Sequence, residues 1–436
     1  MKKVLLTGSL FFIAVLSYAQ NIDKIINATE VERIERVLSS DDMKGRRPFT
    51  PGIDKAADFI AEEFKKAGLQ PVNGGSYFQE FKMVKTKFIS ATGDINGVAV
   101  DGRNIVGLTT TTSVKIDQNS GYEMVVVGPK DTLQSVLRKL QAAKKNSFVA
   151  VDTVHKSILN RLKGSRGNMF ASDFNLMFVL TSEKVSSYKL EFTQETTETS
   201  LKNVVGIIPG KSRKNEYVIF SGHYDHLGVG KPNADGDSIF NGANDDAAGT
   251  TAVMMLAHYF AQKKDNERTL VFAAFTAEES GGFGATYFSR QYQPEQVIAM
   301  FNIEMIGTDS KWGPNAAYIT GYEKSDMGKI LQKNLVGSKF TFHPDPYTKQ
   351  NLFYRSDNAT LARLGVPAHT ISTSRMEADP EAVNKEVDKY YHTLDDEIET
   401  LNMASMAEII KGIAISSATI IAGKDTPSRV DTSQLR

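Results

Sequence analysis

The chain has 436 residues, of which 41% are hydrophobic and 23% are charged, a composition typical of globular domains and too apolar for a disordered protein. Basic and acidic residues number 51 each, so no global basic field exists to hold nucleic acid or an anionic membrane. The absence of cysteine excludes disulfides, thiolate metal sites, iron–sulfur clusters and a thiol nucleophile. Any bound metal must therefore use His, Asp or Glu ligands.

The N-terminal residues have the pattern of a cleavable secretory signal. Two lysines precede an apolar stretch over residues 4–16, and Ser17 and Ala19 occupy the small-residue positions before a cleavage site. The stretch is shorter than the roughly 20 residues that a membrane span needs. We therefore predict a signal peptide over residues 1–19 and an exported mature chain, periplasmic or secreted by a bacterium and without membrane attachment after cleavage.

The first element predicted in the mature chain is an amphipathic helix over residues 53–69. Its apolar face consists of Ile53, Ala57, Ile60 and Phe64. Gly68, a residue favoured just beyond helix ends, marks its C-terminus.

Residues 96–199 carry a weaker alternation of elements. Strand patterns occur at 122–127, 148–152 and 176–180, and a helix pattern occurs at 133–140. None of these elements carries a recognisable site. We predict an inserted or lid subdomain of α+β character and unknown role.

A stronger alternation of apolar strands, helices and Gly-rich turns begins near residue 203. It predicts an α/β fold, a three-layer sandwich with a mixed, mostly parallel sheet covered by helices, formed by residues 20–95 and 200–436. In such sheets ligands bind beyond the carboxyl ends of the strands. The polar residues that follow these strands are therefore the candidates for function.

His223 and Asp225 follow the predicted strand 217–220 in the sequence S-G-H-Y-D-H-L-G. A histidine past a strand end can bind a metal, and a nearby carboxylate can hold its other ring N–H. Taken alone, the two residues are also compatible with an ordinary surface or packed pair.

Asp245 and Asp246 precede a helix predicted over residues 247–264. Aspartate is favoured there as a helix cap, because backbone N–H groups and the helix dipole stabilise its charge. Alternatively, one of the carboxylates bridges two cations, and the flanking glycines permit the close approach of the chain.

Glu278 and Glu279 follow the very apolar strand predicted at 269–275. Like charges at a buried strand end raise one another's pKa unless a cation compensates them. One glutamate can bind a metal while its neighbour takes a proton from the attacking water. An exposed acidic turn is the alternative for this motif alone.

Glu304 is embedded in the apolar strand F-N-I-E-M-I-G, where an unpaired charge would be costly. His392, in K-Y-Y-H-T-L-D-D, supplies a second imidazole, with Asp395 and Asp396 nearby. Each motif is weak by itself. Together and in this order, with four of the five at strand ends, the motifs indicate a metal centre.

The other histidines do not fit this pattern. His258 lies within the predicted helix 247–264, and His155 and His343 lack acidic neighbours in a strand-end setting, so we assign the three no catalytic role. His226 and His369 lie nearer to the motifs and are interpreted as packing or outer-shell residues.

These motifs resemble those of the di-zinc exopeptidases of the secreted bacterial aminopeptidase type, whose relatives include glutamate carboxypeptidases and glutaminyl cyclases. The resemblance spans about residues 40–95 and 200–425 and rests on H-Y-D, G-A-N-D-D-A-A-G, E-E, N-I-E-M-I-G and Y-H. It implies two zinc ions per chain. Their ligands would be Asp245 as the bridge, Glu279 and His392 at one ion, and His223 and Glu304 at the other.

The resemblance also implies that Glu278 is the general base and that Asp225 orients His223. The chain departs from the family pattern at two positions. Glu304 replaces the usual aspartate, so the second zinc is expected to bind differently or more weakly, and Asn358 replaces the last residue of an S-D-H motif.

The predicted activity is hydrolysis of the N-terminal residue of peptides by an exported zinc aminopeptidase. The sequence does not identify which terminus is recognised, and Arg355 could pair with a terminal carboxylate in a carboxypeptidase. Glutaminyl cyclisation at one zinc ion is a second alternative, which the presence of His223 disfavours. A binding protein without catalysis is the third, but no ligand type has been lost.

Overall fold

The computed structural model describes residues 22–164, 167–378 and 386–435. The signal peptide predicted at 1–19 lies outside these residues. Within the described ranges, no helix is both long enough and apolar enough to cross a membrane. The chain forms two compact units, one containing the residues up to 80 and from 201 onward, the other containing residues 81–200.

The α-helices are α1 (Ala28–Leu38), α2 (Pro51–Ala67), α3 (Leu133–Ala143), α4 (Lys156–Gly164), α5 (Ala248–Lys263), α6 (Phe283–Ser289), α7 (Met327–Leu335), α8 (Asn358–Ala362), α9 (Met403–Ser416) and α10 (Ala418–Ile421). The strands up to the end of the second unit are β1 (Gln70–Pro71), β2 (Phe78–Ile95), β3 (Val98–Ala99), β4 (Ile105–Leu108), β5 (Ser113–Asp117), β6 (Glu123–Val127), β7 (Ser147–Val151), β8 (Asn168–Phe170), β9 (Leu176–Leu180) and β10 (Tyr188–Ile208). The later strands are β11 (Arg213–His223), β12 (Gly228–Val229), β13 (Ile239–Phe240), β14 (Arg268–Phe275), β15 (Val297–Ile303), β16 (Ala316–Ile319), β17 (Thr341–Pro344), β18 (Ala368–Ser372), β19 (Glu377–Ala378) and β20 (Glu386–Val387).

The main sheet of the first unit has the strand order β17-β16-β18-β15-β11-β14-β10. The four central strands β14, β11, β15 and β18 are parallel to one another. β10 joins β14 antiparallel, and β16 joins β18 antiparallel. The predicted mixed, mostly parallel sheet is confirmed.

Both faces of this sheet are covered by helices, and the strands β14 and β18 are buried along their whole length. Along β14, Leu270 and Phe272 pack into the core that α1, α2, α5, α7 and α9 share. The alternate residues Val271 and Ala273 pack on the other face with α6 and α8. Side chains alternate between the faces of a strand, so this division of one strand between two cores shows the three layers directly.

The second unit contains a separate sheet with the order β4-β9-β7-β6. Leu133, Leu140 and Leu159 of α3 and α4 pack with one face of this sheet. β5 pairs antiparallel with residues 189–193 of β10 beside the other face. In the described part of the chain, neither group of potential metal ligands lies in this unit.

The carboxyl ends of three adjacent parallel strands meet at one edge of the main sheet. His223, the last residue of β11, is level with Phe275 at the end of β14. β15 ends at Ile303 beside them. Glu304 therefore lies just beyond its strand, which corrects the prediction that it is embedded in one: Met305 adopts a positive φ of 53°, and such a left-handed residue ends extended structure.

Candidate metal centre

The loops at this edge bring together all five residues predicted as metal ligands, and they add His226. Among the described residues, two groups of side chains could each hold a cation. His226, Asp245, Glu279 and His392 form group A; His223, Asp245 and Glu304 form group B. In each group the potential ligand atoms all lie within 4.8 Å of one another.

Group A is centred on one oxygen of Glu279. Glu279 Oε1 lies 2.8 Å from His392 Nε2 and 3.2 Å from His226 Nδ1. His392 Nε2 also lies 3.3 Å from Asp245 Oδ2. Two imidazoles and two carboxylates thus converge on one point.

Group B lies on the other side of Asp245. His223 Nε2 is 3.2 Å from Asp245 Oδ1 and 3.5 Å from Glu304 Oε1. The second oxygen of Glu304 accepts a very short hydrogen bond from the Ser356 hydroxyl. Asp245 therefore directs one oxygen to each group, which is the arrangement that a bridging carboxylate requires.

Several ligand atoms in these groups are buried without a hydrogen-bond partner. They are His223 Nε2, both ring nitrogens of His226, and Asp245 Oδ2. A buried polar atom without a partner is costly and rare in folded proteins. Cations at the two groups would satisfy His223 Nε2, Asp245 Oδ2 and one ring nitrogen of His226, and a set of imidazole and carboxylate ligands suits zinc. The residues therefore fit a metal.

The pKa values show how closely the opposite charges are packed. Burial acts to raise the pKa of Asp245, but the close contacts with the imidazoles of His223 and His392 outweigh it and hold the pKa well below its usual range. Burial acts to lower the pKa of His392, yet contacts with Asp245 and Glu279 raise it to about 9. The carboxylates are thus held as anions, as metal ligands must be.

Asp246, the neighbour of Asp245, supports the site through backbone amides. Its carboxylate accepts hydrogen bonds from the N–H of His223 at 3.2 Å and of Met305 at 3.0 Å. The backbone at Gly249 and the backbone at Ile303 approach each other closely here, and a Cβ atom on Gly249 would lie 2.1 Å from the Ile303 carbonyl oxygen. The glycine predicted to permit tight packing therefore does so.

Glu278 lies beside the centre but belongs to neither ligand group. Burial raises the pKa of its carboxyl well above the usual value for glutamate. The preceding residue, Ala277, has a positive φ of 57°, an uncommon conformation that a non-glycine residue adopts under constraint. This constrained residue begins the turn that carries both Glu278 and the potential ligand Glu279.

Asp225 acts differently from the prediction that its carboxylate orients His223. The His223 ring nitrogen Nδ1 contacts the Asp225 backbone carbonyl at 3.1 Å, whereas the carboxylate lies 3.8 Å away. The carboxylate instead accepts the backbone N–H groups of Glu278 and Glu279, at 2.9 and 3.3 Å. Two amide donors at the glutamate turn engage it, so it connects the histidine loop to that turn.

His226 is the member of group A that sequence reasoning placed among packing or outer-shell residues. The available indication was the second histidine of H-Y-D-H, three residues after His223. His369, treated in the same way, is buried between the Thr320 carbonyl and the Ser325 hydroxyl, away from both groups. The remaining histidines lie outside the groups: His155 contacts the Gly128 carbonyl, His258 contacts Glu63, and His343 stacks on Trp312.

A cavity adjoins group B on the side of Glu304. Its lining includes Thr370, Ser372, Asp388 and Tyr391. Arg355 lies at the same cavity and donates to the Tyr391 hydroxyl at 3.4 Å. The cavity offers a place for part of a substrate next to the potential metal ligands.

Comparison with known proteins gives consistent results. The model of peptidase family M28 matches residues 203–416. A probable zinc metalloprotease of Pyrenophora teres f. teres (strain 0-1) is 34% identical over 110 residues, covering 25% of this chain and 23% of that protein. The aminopeptidase YwaD of Bacillus subtilis (strain 168) is 24% identical over 228 residues, covering 51% of this chain and 45% of that protein.

Among solved structures, an aminopeptidase from Aneurinibacillus sp. strain AM-1 is similar over 95% of this chain and 98% of its own, with a TM-score of 0.54 and 17% identity. This likeness concerns the fold. The matches to the curated relatives named above span about a quarter to about half of those proteins' lengths.

Proposed function

We propose that this chain, whose residues 203–416 match the model of peptidase family M28, is a hydrolase and specifically an exported zinc-dependent aminopeptidase. Its substrates would be peptides with a free N-terminus. The similarity to the aminopeptidase YwaD of Bacillus subtilis and the two groups of potential metal ligands support this activity.

The observation that carries the proposal is the position of Asp245 between groups A and B. Its two oxygens face different imidazoles, His392 and His223, at 3.3 and 3.2 Å. A single carboxylate shared by two ligand sets is what a centre of two ions needs. We propose that His226, Glu279 and His392 hold one zinc ion with this bridge, and that His223 and Glu304 hold the other.

When bound, zinc ions lower the pKa of water and polarise a carbonyl oxygen. The chain itself must then supply a proton acceptor. Glu278 is suited to this role because its buried carboxyl interacts electrostatically with His223 and Glu304 of group B and with Glu279 of group A, without belonging to either group. Burial raises the pKa of this carboxyl above the usual value for glutamate, the direction expected of a carboxyl that acts as a general base and acid.

The substrate would approach along the cavity beside Glu304. The Tyr391 ring stacks on His392 with 3.8 Å between ring centroids, so one wall of the cavity is fixed to a ligand of group A. An N-terminal side chain could occupy this cavity while its peptide bond lies at the metal centre. Carboxypeptidase activity is the alternative to be tested, because Arg355 lies at the cavity and could pair with the terminal carboxylate of a peptide.

Three peptides of the same sequence distinguish the activities. The first has both termini free, the second is N-acetylated, and the third carries a C-terminal amide. Aminopeptidase activity requires cleavage of the first and third by the zinc-loaded protein, with loss of cleavage on chelation and on N-acetylation. Cleavage of the acetylated peptide but not of the amide would show a carboxypeptidase and refute the proposal, and so would conversion of an N-terminal glutamine to a cyclic product without peptide-bond hydrolysis.

A further inference from the structure

Arg46 is completely buried in the first unit, with 0% of its surface exposed. Its guanidinium group donates only to backbone carbonyl oxygens, at distances of 2.5–2.8 Å. The acceptors are the carbonyls of Tyr224, Leu38, Asn241 and Gly242. The planar guanidinium can reach all four because its five N–H donors have a fixed geometry.

Three of these four carbonyls belong to the loops that carry the potential ligands. Tyr224 lies directly after His223, and the Arg46 carbonyl in turn accepts the N–H of His226 at 3.3 Å. Asn241 and Gly242 begin the turn that leads to Asp245. One side chain therefore fixes the histidine loop relative to the turn of the bridging carboxylate.

The turn of Asp245 is held from its other side by a buried carboxylate. Asp396 accepts the backbone N–H groups of Asn244 at 2.8 Å and Asp245 at 3.0 Å. Arg46 binds carbonyls at the start of the turn, and Asp396 binds amides two and three residues later. The two charges thus constrain consecutive peptide groups immediately before the bridging residue.

The backbone conformation at Gly45 and Arg46 places the guanidinium group between the two ligand loops. Gly45 has a positive φ of 62°, and a Cβ atom there would lie 2.5 Å from the Phe240 carbonyl oxygen and 2.6 Å from that of Gly228. Arg46 itself has a positive φ of 47°, a conformation that a residue with a side chain adopts only under constraint. Packing of the N-terminal segment against the ligand loops depends on these two residues.

We propose that Arg46 is a positioning residue of the metal centre: by holding the loop of His223 and His226 at a fixed distance from the turn of Asp245, it sets the geometry of both ligand groups. The proposal rests on the proposed two-metal site. It assigns a functional role to the N-terminal segment, which lies outside the region 203–416 that matches the family model.

Arg268 provides a matched control. It is 1% exposed and donates to the carbonyls of Ile420 and Asp425, to the Thr426 hydroxyl and to Glu216. It therefore resembles Arg46 in burial and in the number of its hydrogen bonds. However, it fixes the C-terminal segment and contacts none of the ligand loops.

The test compares Arg46→Lys, Arg46→Gln and Arg268→Lys in the full mature chain. The zinc dissociation constant is measured by competition with a chromophoric chelator, and folding is checked by circular dichroism. A lysine ammonium is a point donor and cannot reach four carbonyls in one plane. Loss of outer-shell support typically weakens metal binding by about 10–100-fold, so we expect this increase in the dissociation constant for both Arg46 variants and no change for Arg268→Lys.

Three outcomes would overturn the proposal. The Arg46 variants could bind zinc as the wild type does, or Arg268→Lys could weaken binding by the same factor, which would indicate general loosening of the fold. Failure of both Arg46 variants to fold would show that the residue serves folding alone. Failure of the proposed metal centre is distinguishable, because the wild-type chain would then bind no zinc, and failure of the proposed aminopeptidase activity is read from the peptide assay and leaves the zinc dissociation constants unchanged.

Discussion

Replacing Glu278 by glutamine and replacing Glu279 by glutamine should have different effects on zinc binding and turnover. Glu278 lies outside both ligand groups, whereas Glu279 Oε1 contacts the rings of His392 and His226. Glutamine has nearly the same shape as glutamate but cannot accept and return a proton. Glu278→Gln should therefore retain zinc and lose turnover, whereas Glu279→Gln should lose zinc.

The size of each effect follows from these positions. Removing a general base typically costs about 10²–10⁴-fold in rate, which corresponds to about 3–5 kcal/mol of transition-state stabilisation. Outer-shell partners alone change metal affinity by about 10–100-fold. Glu279 supplies the oxygen on which group A converges, so its replacement should exceed about 100-fold at that ion.

Both quantities are measurable on the same samples. Zinc content is determined by mass spectrometry after dialysis against a buffered free-zinc concentration, and kcat/KM is measured with an unblocked dipeptide. Glu295→Gln is the control, since Glu295 is an exposed glutamate beyond the turn. Near-normal turnover in Glu278→Gln, or loss of zinc from it equal to that of Glu279→Gln, would refute the division of roles.

Other predictions address the remaining parts of the site and the chain. His226→Asn should lose one zinc ion whereas His369→Asn should keep both, as determined by metal analysis, because only His226 belongs to a ligand group; equal zinc contents would contradict this. Glu304→Asp should weaken the binding of the ion at group B, because the shorter side chain loses the contact with Ser356. Tighter zinc binding by this variant would show that aspartate fits the site better than glutamate does. Burial lowers the pKa of His369 to about 4, against about 6.5 when unfolded. The unfolded chain then binds the extra proton first, so the stability from neutral His369 is complete above pH 6.5 and falls by about 3 kcal/mol as the pH drops to about 4. Denaturant unfolding should show a correspondingly smaller loss in His369→Asn, and identical pH profiles would exclude this role. Mass spectrometry of the exported protein should find Gln20 at the N-terminus, and an intact Met1 would contradict the predicted cleavage.

The sheet and most ligands could be predicted because local patterns determine them. Continuous apolar strands require helices on both faces, and parallel strands bring their carboxyl ends to one edge. This is why His223, Glu279 and Glu304, although far apart in sequence, could be expected at one place. The structure confirms the fold and brings these residues together.

Features determined by irregular loops could not be predicted. His226 follows His223 by three residues, but no periodic structure relates the two side chains once the strand has ended. The Asp225 carboxylate had two possible partners, and the choice depends on backbone amides more than 50 residues later in the chain. Local sequence carries no information about that distant turn.

The burial of Arg46 is a further feature that could not be predicted from the sequence. In the sequence it is one of several charged residues in the polar stretch at 41–47, and arginine is seldom fully buried. Its burial depends on four carbonyl acceptors, three of which lie 178–196 residues away. Only the folded chain shows that these acceptors come together.

The most direct test of the two-ion centre is anomalous X-ray diffraction at the zinc edge, using crystals of the zinc-loaded protein. We expect two anomalous peaks about 3.5–4 Å apart. One peak should contact His226, Glu279 and His392, the other should contact His223 and Glu304, and Asp245 should lie between them. A single peak, or two peaks that do not share Asp245, would contradict the proposed centre.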